Sequence, residues 1–157
     1  MASFKNFLAL WLAFFAVEAT GQISWNTSGT GSVTSNVCLG SAFIDVEFNN
    51  LTGGALPNDT LRIQLPQGVF FDASSINEIS AFNVRTHNVS NLNAPVLVLD
   101  DLPAVGGTVR FSFKITSTCL ALAHQQSGGA FNIAYTLSSG TTVFAVHTSP
   151  AFNLSTA

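Results

Sequence analysis

The chain has 157 residues and a formal net charge of −3, and only 8% of its residues are charged. This length predicts one domain. The sequence contains no basic run. This argues against nucleic-acid binding, which usually needs a basic surface, and against a polybasic patch that binds membrane surfaces. Its polarity comes from Ser, Thr, Asn and Gly, a composition typical of exported β proteins.

The first residues have the layout of a secretory signal peptide. A lysine precedes an apolar run at residues 7–17, and small residues then predict cleavage after Ala19, so that the leader is residues 1–19. Cleavage after Gly21 is the alternative. The apolar run is short for a transmembrane helix, although an uncleaved anchor is the competing interpretation. We therefore expect a secreted or cell-surface protein with no membrane span once the leader is removed.

Cys38 and Cys119 are the two cysteines of the chain. In an exported protein such a pair most often forms one disulfide. The bridge would close a loop of roughly 80 residues and contribute about 4.5 kcal/mol in the chain-entropy model. Two buried free thiols are the alternative. A metal site is not indicated, because neither cysteine has a second ligand at a suitable spacing.

Alternating apolar and polar residues dominate the chain after the leader and predict β-strands. The clearest alternation places Ile44, Val46 and Phe48 on one face, with Phe43 and Asp45 on the other. The predicted strands cover residues 42–48, 61–65, 69–71, 82–85, 96–99, 108–117, 131–137 and 142–147. Any helical turn would fall at 74–79, and the strand ending near Cys119 would lead into a loop.

These patterns predict an all-β fold, an immunoglobulin-like antiparallel β-sandwich of about seven strands, with a jelly roll as the competitor. We expect a single domain at residues 22–157, with a linker-like tail from about residue 150. Phenylalanines at inward positions would fill the space between the sheets. Trp25 lies near the predicted mature start and is expected outside the core.

Four segments resemble the Ig-like modules repeated in large surface proteins and adhesins that bacteria export by the type IX system. They read VCLGSAFIDVEFNNLTGGAL, LRIQLPQGVFF, LDDLPAVGGTVRFSFKIT and HTSPAFNL. Such modules carry a Leu-Pro-X-Gly-hydrophobic element, matched at Leu65–Val69, and a Gly-Gly turn before an alternating strand, matched at Gly106–Gly107. The resemblance covers roughly residues 33–154. It implies adhesion or scaffolding, in a segment of a longer product or a module acting alone.

The sequence contains no recognisable catalytic constellation, so we expect no enzyme, no cofactor and no metal. His87, His124 and His147 are far apart in loop-like sequence and are expected to be solvated. The adjacent pair Asp100–Asp101 could donate to calcium, but a polar strand end entering a turn is the favoured interpretation.

Five Asn-X-Ser/Thr sequons are candidate N-glycosylation sites: Asn26, Asn50, Asn58, Asn88 and Asn153. They would be used in a eukaryotic secretory pathway. If the bacterial resemblance holds, N-linked modification is not expected. The Asp59–Leu61 tripeptide then resembles the short O-glycosylation motif of those bacteria, with Thr60 as the acceptor.

Three functions compete at this stage. The first is a non-enzymatic structural or adhesion module of a surface protein, whose partners are other modules of the same polypeptide. The second is a stand-alone secreted carbohydrate-binding module that stacks surface glycans on Phe43 and Trp25, with Phe144 as a further candidate. Its weakness is that the N-terminal segment would cover Phe43. The third is a pilus-like subunit that donates residues 22–35 to a neighbour.

Overall fold

The computed structural model describes residues 23–28, 32–36, 39–51, 54–55, 59–78, 84–100 and 107–156, so the predicted leader lies outside it. The described elements are β1 (Ile23–Ser28), β2 (Ser32–Asn36), β3 (Leu39–Asn50), β4 (Asp59–Gln64), β5 (Val69–Phe71), β6 (Asn77–Glu78), β7 (Val84–Asn88), β8 (Val96–Leu99), β9 (Gly107–Ser117), α1 (Cys119–Gln126), β10 (Ala134–Ser139), β11 (Thr142–Thr148) and β12 (Asn153–Thr156). The predicted all-β class is confirmed.

The strands form two sheets around one apolar core. Sheet A has the order β12-β2-β3-β9-β5, with β1 also paired to β3 and β6 to β9; sheet B has the order β11-β10-β4-β8-β7. The described pairings are antiparallel except that of β12 with β2, which is parallel. The fold is therefore the predicted immunoglobulin-like sandwich, with more strands than expected.

Strands β3 and β9 form the middle of sheet A. They pair without interruption from Gly40 opposite Ser117 to Asn50 opposite Gly107. Because side chains alternate along a strand, every second residue of this pair faces sheet B. The inward residues are buried, as the sequence predicts: Ile44, Val46, Phe48, Val109, Phe111, Phe113 and Ile115.

Aromatic residues of sheet A and apolar residues of sheet B fill the space between the sheets. Phe113 packs against Phe71 of β5 and Phe111 of its own strand, with ring centroids 5.4 and 6.1 Å apart. Each such fully buried side chain stabilises the fold by about 1.5–3 kcal/mol relative to exposure. The facing residues of sheet B are Leu61, Ile63, Leu97, Leu99, Tyr135 and Leu137.

Trp25 is partly buried and packs against the core rather than lying outside it. Strand β1 pairs with the end of β3, and Trp25 stands opposite Phe48. The Trp25 ring centroid lies 4.9 Å from that of Phe48 and 5.8 Å from that of Tyr135. The prediction failed because the position of Trp25 depends on a long-range strand pairing, and ISWNTS alone carries little apolar alternation.

The helix is a second difference from prediction. Residues 74–78 contain a turn and β6, whereas α1 begins at Cys119, where a strand end was expected. Thr118 at the N-cap and Gly128, with a φ of 82°, are the signals that mark its ends. Ala121 is the residue that α1 buries, so the helix has no apolar stripe that periodicity could have shown.

The turn between β4 and β5 holds α1 in place. Gly68 has a φ of 78°, and its carbonyl accepts hydrogen bonds from the backbone N–H and the hydroxyl of Thr118, both at 3.0 Å. The side-chain amide of Asn93 donates to the carbonyls of Pro66 and Val69, both at 2.8 Å. The Leu-Pro-X-Gly element is thus a rigid turn, whose glycine satisfies a positive φ.

The segment after Pro150, which we expected to be linker-like, returns to the sandwich. Phe152 is 2% exposed, and its ring lies edge-on to that of Phe131, with centroids 4.7 Å apart. Strand β12 then pairs with β2 at the edge of sheet A.

Candidate functional site

The outer face of sheet A carries an exposed aromatic residue, Phe43, at a position that the sequence pattern assigns to that face. Phe43 is 57% exposed, although it lies on β3 in the middle of the sheet. The other large exposed apolar residues lie on loops, on α1 or on the edge strand β11. Strand β1 pairs beside β3, and its described residues do not bury Phe43 as the competing interpretation expected.

We call this surface the Phe43 face. Its members alternate with the core residues of β3, β5 and β9, and they are Ser41, Phe43, Asp45, Glu47, Phe70, Arg110, Ser112, Lys114 and Thr116. Lys114 stands directly opposite Phe43, and Arg110 opposite Glu47. Carboxylates and basic groups are therefore balanced in number along the two central strands.

An ion pair occupies one end of the Phe43 face. Nε of Arg110 lies 3.5 Å from a carboxylate oxygen of Glu47, and both side chains are partly exposed. Such pairs contribute at most about 1 kcal/mol. The ion pair neutralises the charge at this end of the surface and adds little to the stability of the fold.

A second phenyl ring lies on the same face. Phe70 of β5 stands opposite Thr116, two positions further along β9 than Lys114, and it is half-buried. Two strand spacings and a two-residue offset place its Cα about 12 Å from that of Phe43. The face thus presents two rings with Lys114 and Thr116 between them.

The structure separates Trp25 from Phe43. Trp25 faces the core at the level of Phe48, five residues along β3 from Phe43, and an odd number of residues reverses the face. Phe144, the third candidate, is half-buried and packs against the core. The predicted platform of Trp25, Phe43 and Phe144 is therefore wrong, because these side chains do not share a surface.

Trp25 instead belongs to an aromatic contact between the sheets, which we call the seam: Trp25, Thr27, Tyr135 and His147. The Trp25 and His147 rings stack with centroids 5.1 Å apart. Nε2 of His147 and the hydroxyl of Thr27 are hydrogen-bonded at 2.9 Å. The seam therefore joins β1 of sheet A to β11 of sheet B.

Burial changes the protonation behaviour of the seam. It lowers the pKa of His147 below the ordinary value of 6.5, because the imidazolium loses water contacts. It raises the pKa of Tyr135 for the same reason, and among the described residues the Tyr135 hydroxyl has no hydrogen-bond partner. The expectation that His147 is a solvated loop residue is wrong, since it lies half-buried on β11.

The other histidines do not join the seam. His124 lies on α1, half-buried, with its ring centroid 6.4 Å from that of Phe131. His87 lies on β7, and its side chain is outside the described residues. Asp100 forms an ion pair with Arg85, as befits a polar strand end, and Asp101 lies outside the described residues.

The candidate acceptor sites occupy different environments. Asn26 and Asn88 are exposed, on β1 and β7. Asn50 is buried and its side-chain amide donates to the carbonyl of Gly54 at 2.9 Å, so the folded domain leaves no room for a glycan there. Thr60 is half-buried in the middle of sheet B, where its hydroxyl and that of Ser138 are 2.9 Å apart. Asn58 and the side chain of Asn153 lie outside the described residues.

The predicted disulfide stays a prediction. Cys38 lies outside the described residues, whereas Cys119 is exposed at the start of α1. No cysteine in the described part of the chain is free.

The described ranges contain no group of three or more His, Cys, Asp or Glu side chains placed to hold a metal ion. Within the same ranges, no helix has the length and apolar character needed to cross a bilayer.

Among the comparisons with known proteins, those with solved structures gave matches. No family model and no curated protein matches the sequence. The chain is similar to ChBD2 of Thermococcus kodakarensis KOD1, at 14% identity and a TM-score of 0.41 over 81% of this chain and 96% of that one. It is also similar to the cohesin module of a Clostridium perfringens family 33 glycoside hydrolase, at 6% identity and 0.46 over 87% and 98%.

A third solved structure is the collagen binding subdomain of the Enterococcus faecalis surface protein ACE, at 10% identity and a TM-score of 0.40 over 80% of this chain and 90% of that one. Scores this low carry no argument about ligands or activity. The fold rests on the two sheets themselves.

Proposed function

We propose that this chain is a non-catalytic adhesion module of an exported cell-surface protein, and that the Phe43 face binds neutral surface glycans. The observation that carries the proposal is the 57% exposure of Phe43 in the middle of a sheet face whose other members, apart from the half-buried Phe70, are polar. A phenyl ring at the centre of a sheet face is accessible over a flat area. Sugar rings stack on such surfaces through their apolar C–H faces.

The neighbours of Phe43 support a neutral polar ligand. Lys114 and Thr116 offer hydrogen-bond donors beside the ring, and Ser41 lies two residues away on β3. Asp45 and Glu47 can accept hydrogen bonds from sugar hydroxyls. The balance of charge on β3 and β9 gives an anionic polymer no electrostatic advantage.

A glycan array with the mature protein tests the binding surface. Phe43→Ala is the test variant and Val143→Ala the matched control, since Val143 is also 57% exposed but lies on β11 of sheet B. We expect Phe43→Ala to weaken binding by up to about tenfold, because one stacked ring is worth about 0.5–1.5 kcal/mol. Equal binding by both variants, or no glycan bound by the parent protein, would overturn the glycan proposal.

The cellular context is part of the same proposal. We propose cleavage of the leader after Ala19, or after Gly21, followed by display on a large surface protein of the type IX-exported class. Mass spectrometry of the exported product identifies its first residue. A denaturing gel of the native product tests its size: a species far above 16.5 kDa supports a multi-module protein. A species near that mass favours the stand-alone carbohydrate-binding module.

A further inference from the structure

The chain enters and leaves sheet A at opposite ends. Ile23, where β1 begins, stands opposite Asn50 at one end of β3. Thr156, at the end of β12, stands opposite Ser35, which in turn stands opposite Gly40 at the other end of β3. Strands β1, β2 and β12 all run antiparallel to β3. The entry and exit points are therefore separated by about 33 Å along the strand axis.

Tension between these points would pull each end strand along its own axis. Strand β1 would slide past β3, with which it pairs from Ile23 to Ser28. Strand β12 would slide past β2, with which it pairs in parallel from Asn153 to Thr156. In this shear geometry the hydrogen bonds of a ladder lie across the force and share it, so they break together. Peeling a strand from its end would break them one at a time.

The entry strand is also held by side chains. Trp25 packs between Phe48 and Tyr135, and it stacks on His147 of the opposite sheet. The hydrogen bond between Thr27 and His147 adds a second connection to β11. Sliding β1 therefore requires the indole to leave the core in addition to breaking the ladder.

The exit strand has a comparable anchor immediately before it. Phe152 is 2% exposed, and its ring packs edge-on against Phe131. The backbone N–H of Phe152 donates to the carbonyl of Phe131 at 3.0 Å, and that of Ser149 to Ile133 at 2.9 Å. The hydroxyl of Ser149 accepts a further hydrogen bond from the N–H of Ile133.

From these contacts we infer that the module is built to bear tensile load, with β1–β3 and β12–β2 as two shear-loaded clamps, each supported by an aromatic anchor: the partly buried Trp25 and the buried Phe152. This inference rests on topology and contacts, not on the glycan proposal. A surface protein under flow transmits force through each module between its anchor and its target, so resistance to stretching is a function separate from binding.

Single-molecule force spectroscopy of the mature chain, with reductant present throughout, tests the clamps. In both preparations one handle is fixed at the N-terminus. The second handle follows Ala157 in one preparation and is attached at the exposed position 151 in the other. The second position takes β12 out of the load path without changing the fold. We expect the unfolding force to fall by about half, since forced unfolding reports the barrier along the loaded path. Equal forces would overturn the inference.

Two proline variants examine the β12–β2 clamp from within. Neighbouring residues of an edge strand direct their N–H groups to opposite sides, so that Leu154→Pro and Ser155→Pro differ in which side loses a donor. Both variants introduce proline. One of them removes an N–H that donates to β2, and the other removes an N–H that points away from the sheet. A lower unfolding force in one variant only is expected; indistinguishable variants contradict a clamp at this ladder.

The entry clamp is examined with two aromatic residues of sheet A. Trp25→Ala is expected to lower the unfolding force, whereas Phe43→Ala, which removes an exposed ring, is expected to leave it unchanged. The same Phe43→Ala variant is the one that weakens binding under the glycan proposal. The two proposals can therefore fail independently, since one is measured by force and the other by affinity.

Discussion

The indole of Trp25 and the imidazole of His147 stack with their planes 4° from parallel and their centroids 5.1 Å apart. Trp25 lies on β1 of sheet A and His147 on β11 of sheet B. An ionisable ring thus takes part in the contact that joins the two sheets along this side, which makes the stability of the sandwich dependent on pH.

Stability is expected to decrease on mild acidification. Burial lowers the pKa of His147 in the folded protein below 6.5, so the unfolded chain takes up the proton more readily. The stabilising effect of a neutral His147 is complete above the unfolded value, and it is lost as the pH falls from about 6.5 through the lower folded value. Urea unfolding at a series of pH values between about 5.5 and 7.5 measures this.

His147→Gln should flatten the profile in this range. His124→Gln is the control, because His124 lies on α1 away from the seam. A parent protein whose unfolding midpoint is constant across the range would contradict the burial of His147.

Tyr135→Phe is expected to stabilise the protein by about 1 kcal/mol. The hydroxyl of Tyr135 is buried without a hydrogen-bond partner among the described residues, and such a group carries an uncompensated desolvation cost. The phenyl ring of the variant keeps the packing against Trp25. Equilibrium unfolding gives the difference in free energy.

Tyr135→Leu serves as the comparison for Tyr135→Phe. Because it removes part of the ring volume, it should destabilise by about 2 kcal/mol or more. If Tyr135→Phe is itself destabilising by a similar amount, the hydroxyl of Tyr135 has a hydrogen-bond partner and carries no uncompensated desolvation cost.

Gly68→Ala is expected to destabilise by about 3 kcal/mol or more. Gly68 has a φ of 78°, and an added Cβ would lie 2.8 Å from the backbone carbon of Leu120. Backbone atoms of α1 cannot rotate away, so the helix would have to shift. Thermal unfolding followed by circular dichroism measures the loss.

Gly140→Ala separates strain from steric contact. Gly140 also has a positive φ, 56°, but an added Cβ meets nothing within 4 Å. We expect this substitution to destabilise by only about 1 kcal/mol. Similar values for the two variants would show that the close approach of α1 to Gly68 is unimportant.

Reduction is expected to lower the free energy of unfolding by up to about 4.5 kcal/mol if Cys38 and Cys119 are bridged. Unfolding with and without reductant, together with the double variant C38S/C119S, measures this contribution. The double variant should match the reduced parent protein and should not respond to reductant. A thiol titration of the denatured, non-reduced chain that finds both cysteines free would exclude the bridge.

Much of the fold could be predicted because it depends on local alternation. The alternation that includes Ile44, Val46 and Phe48 predicts the buried face of β3, and the same pattern predicts that of β9. Strand β1 could not be predicted, since its polar residues acquire their positions only by pairing with a distant part of β3. Helix α1 was missed because a helix burying one alanine has no periodic signal.

The candidate site divides in the same way. The outward direction of Phe43 follows from its position between Ala42 and Ile44, whereas alternation could not show whether the N-terminal segment covers the ring. The position of Phe70 on the same face depends on the register of β5 against β9, which sequence patterns do not specify. The pairing of Trp25 with His147 requires the order of strands in both sheets. Local alternation predicts which face of a strand a side chain lies on, whereas the residues beside it depend on the order and register of the strands.

The uninterrupted pairing of β3 with β9 also determines when this molecule can fold. The two strands are separated by roughly 60 residues of chain, and closing a loop of that length precedes any gain from their contacts. As the polypeptide is synthesised, the apolar side of β3 emerges long before β9 exists to cover it. The interval leaves Ile44, Val46 and Phe48 exposed to other nascent chains until β9 is available to cover them.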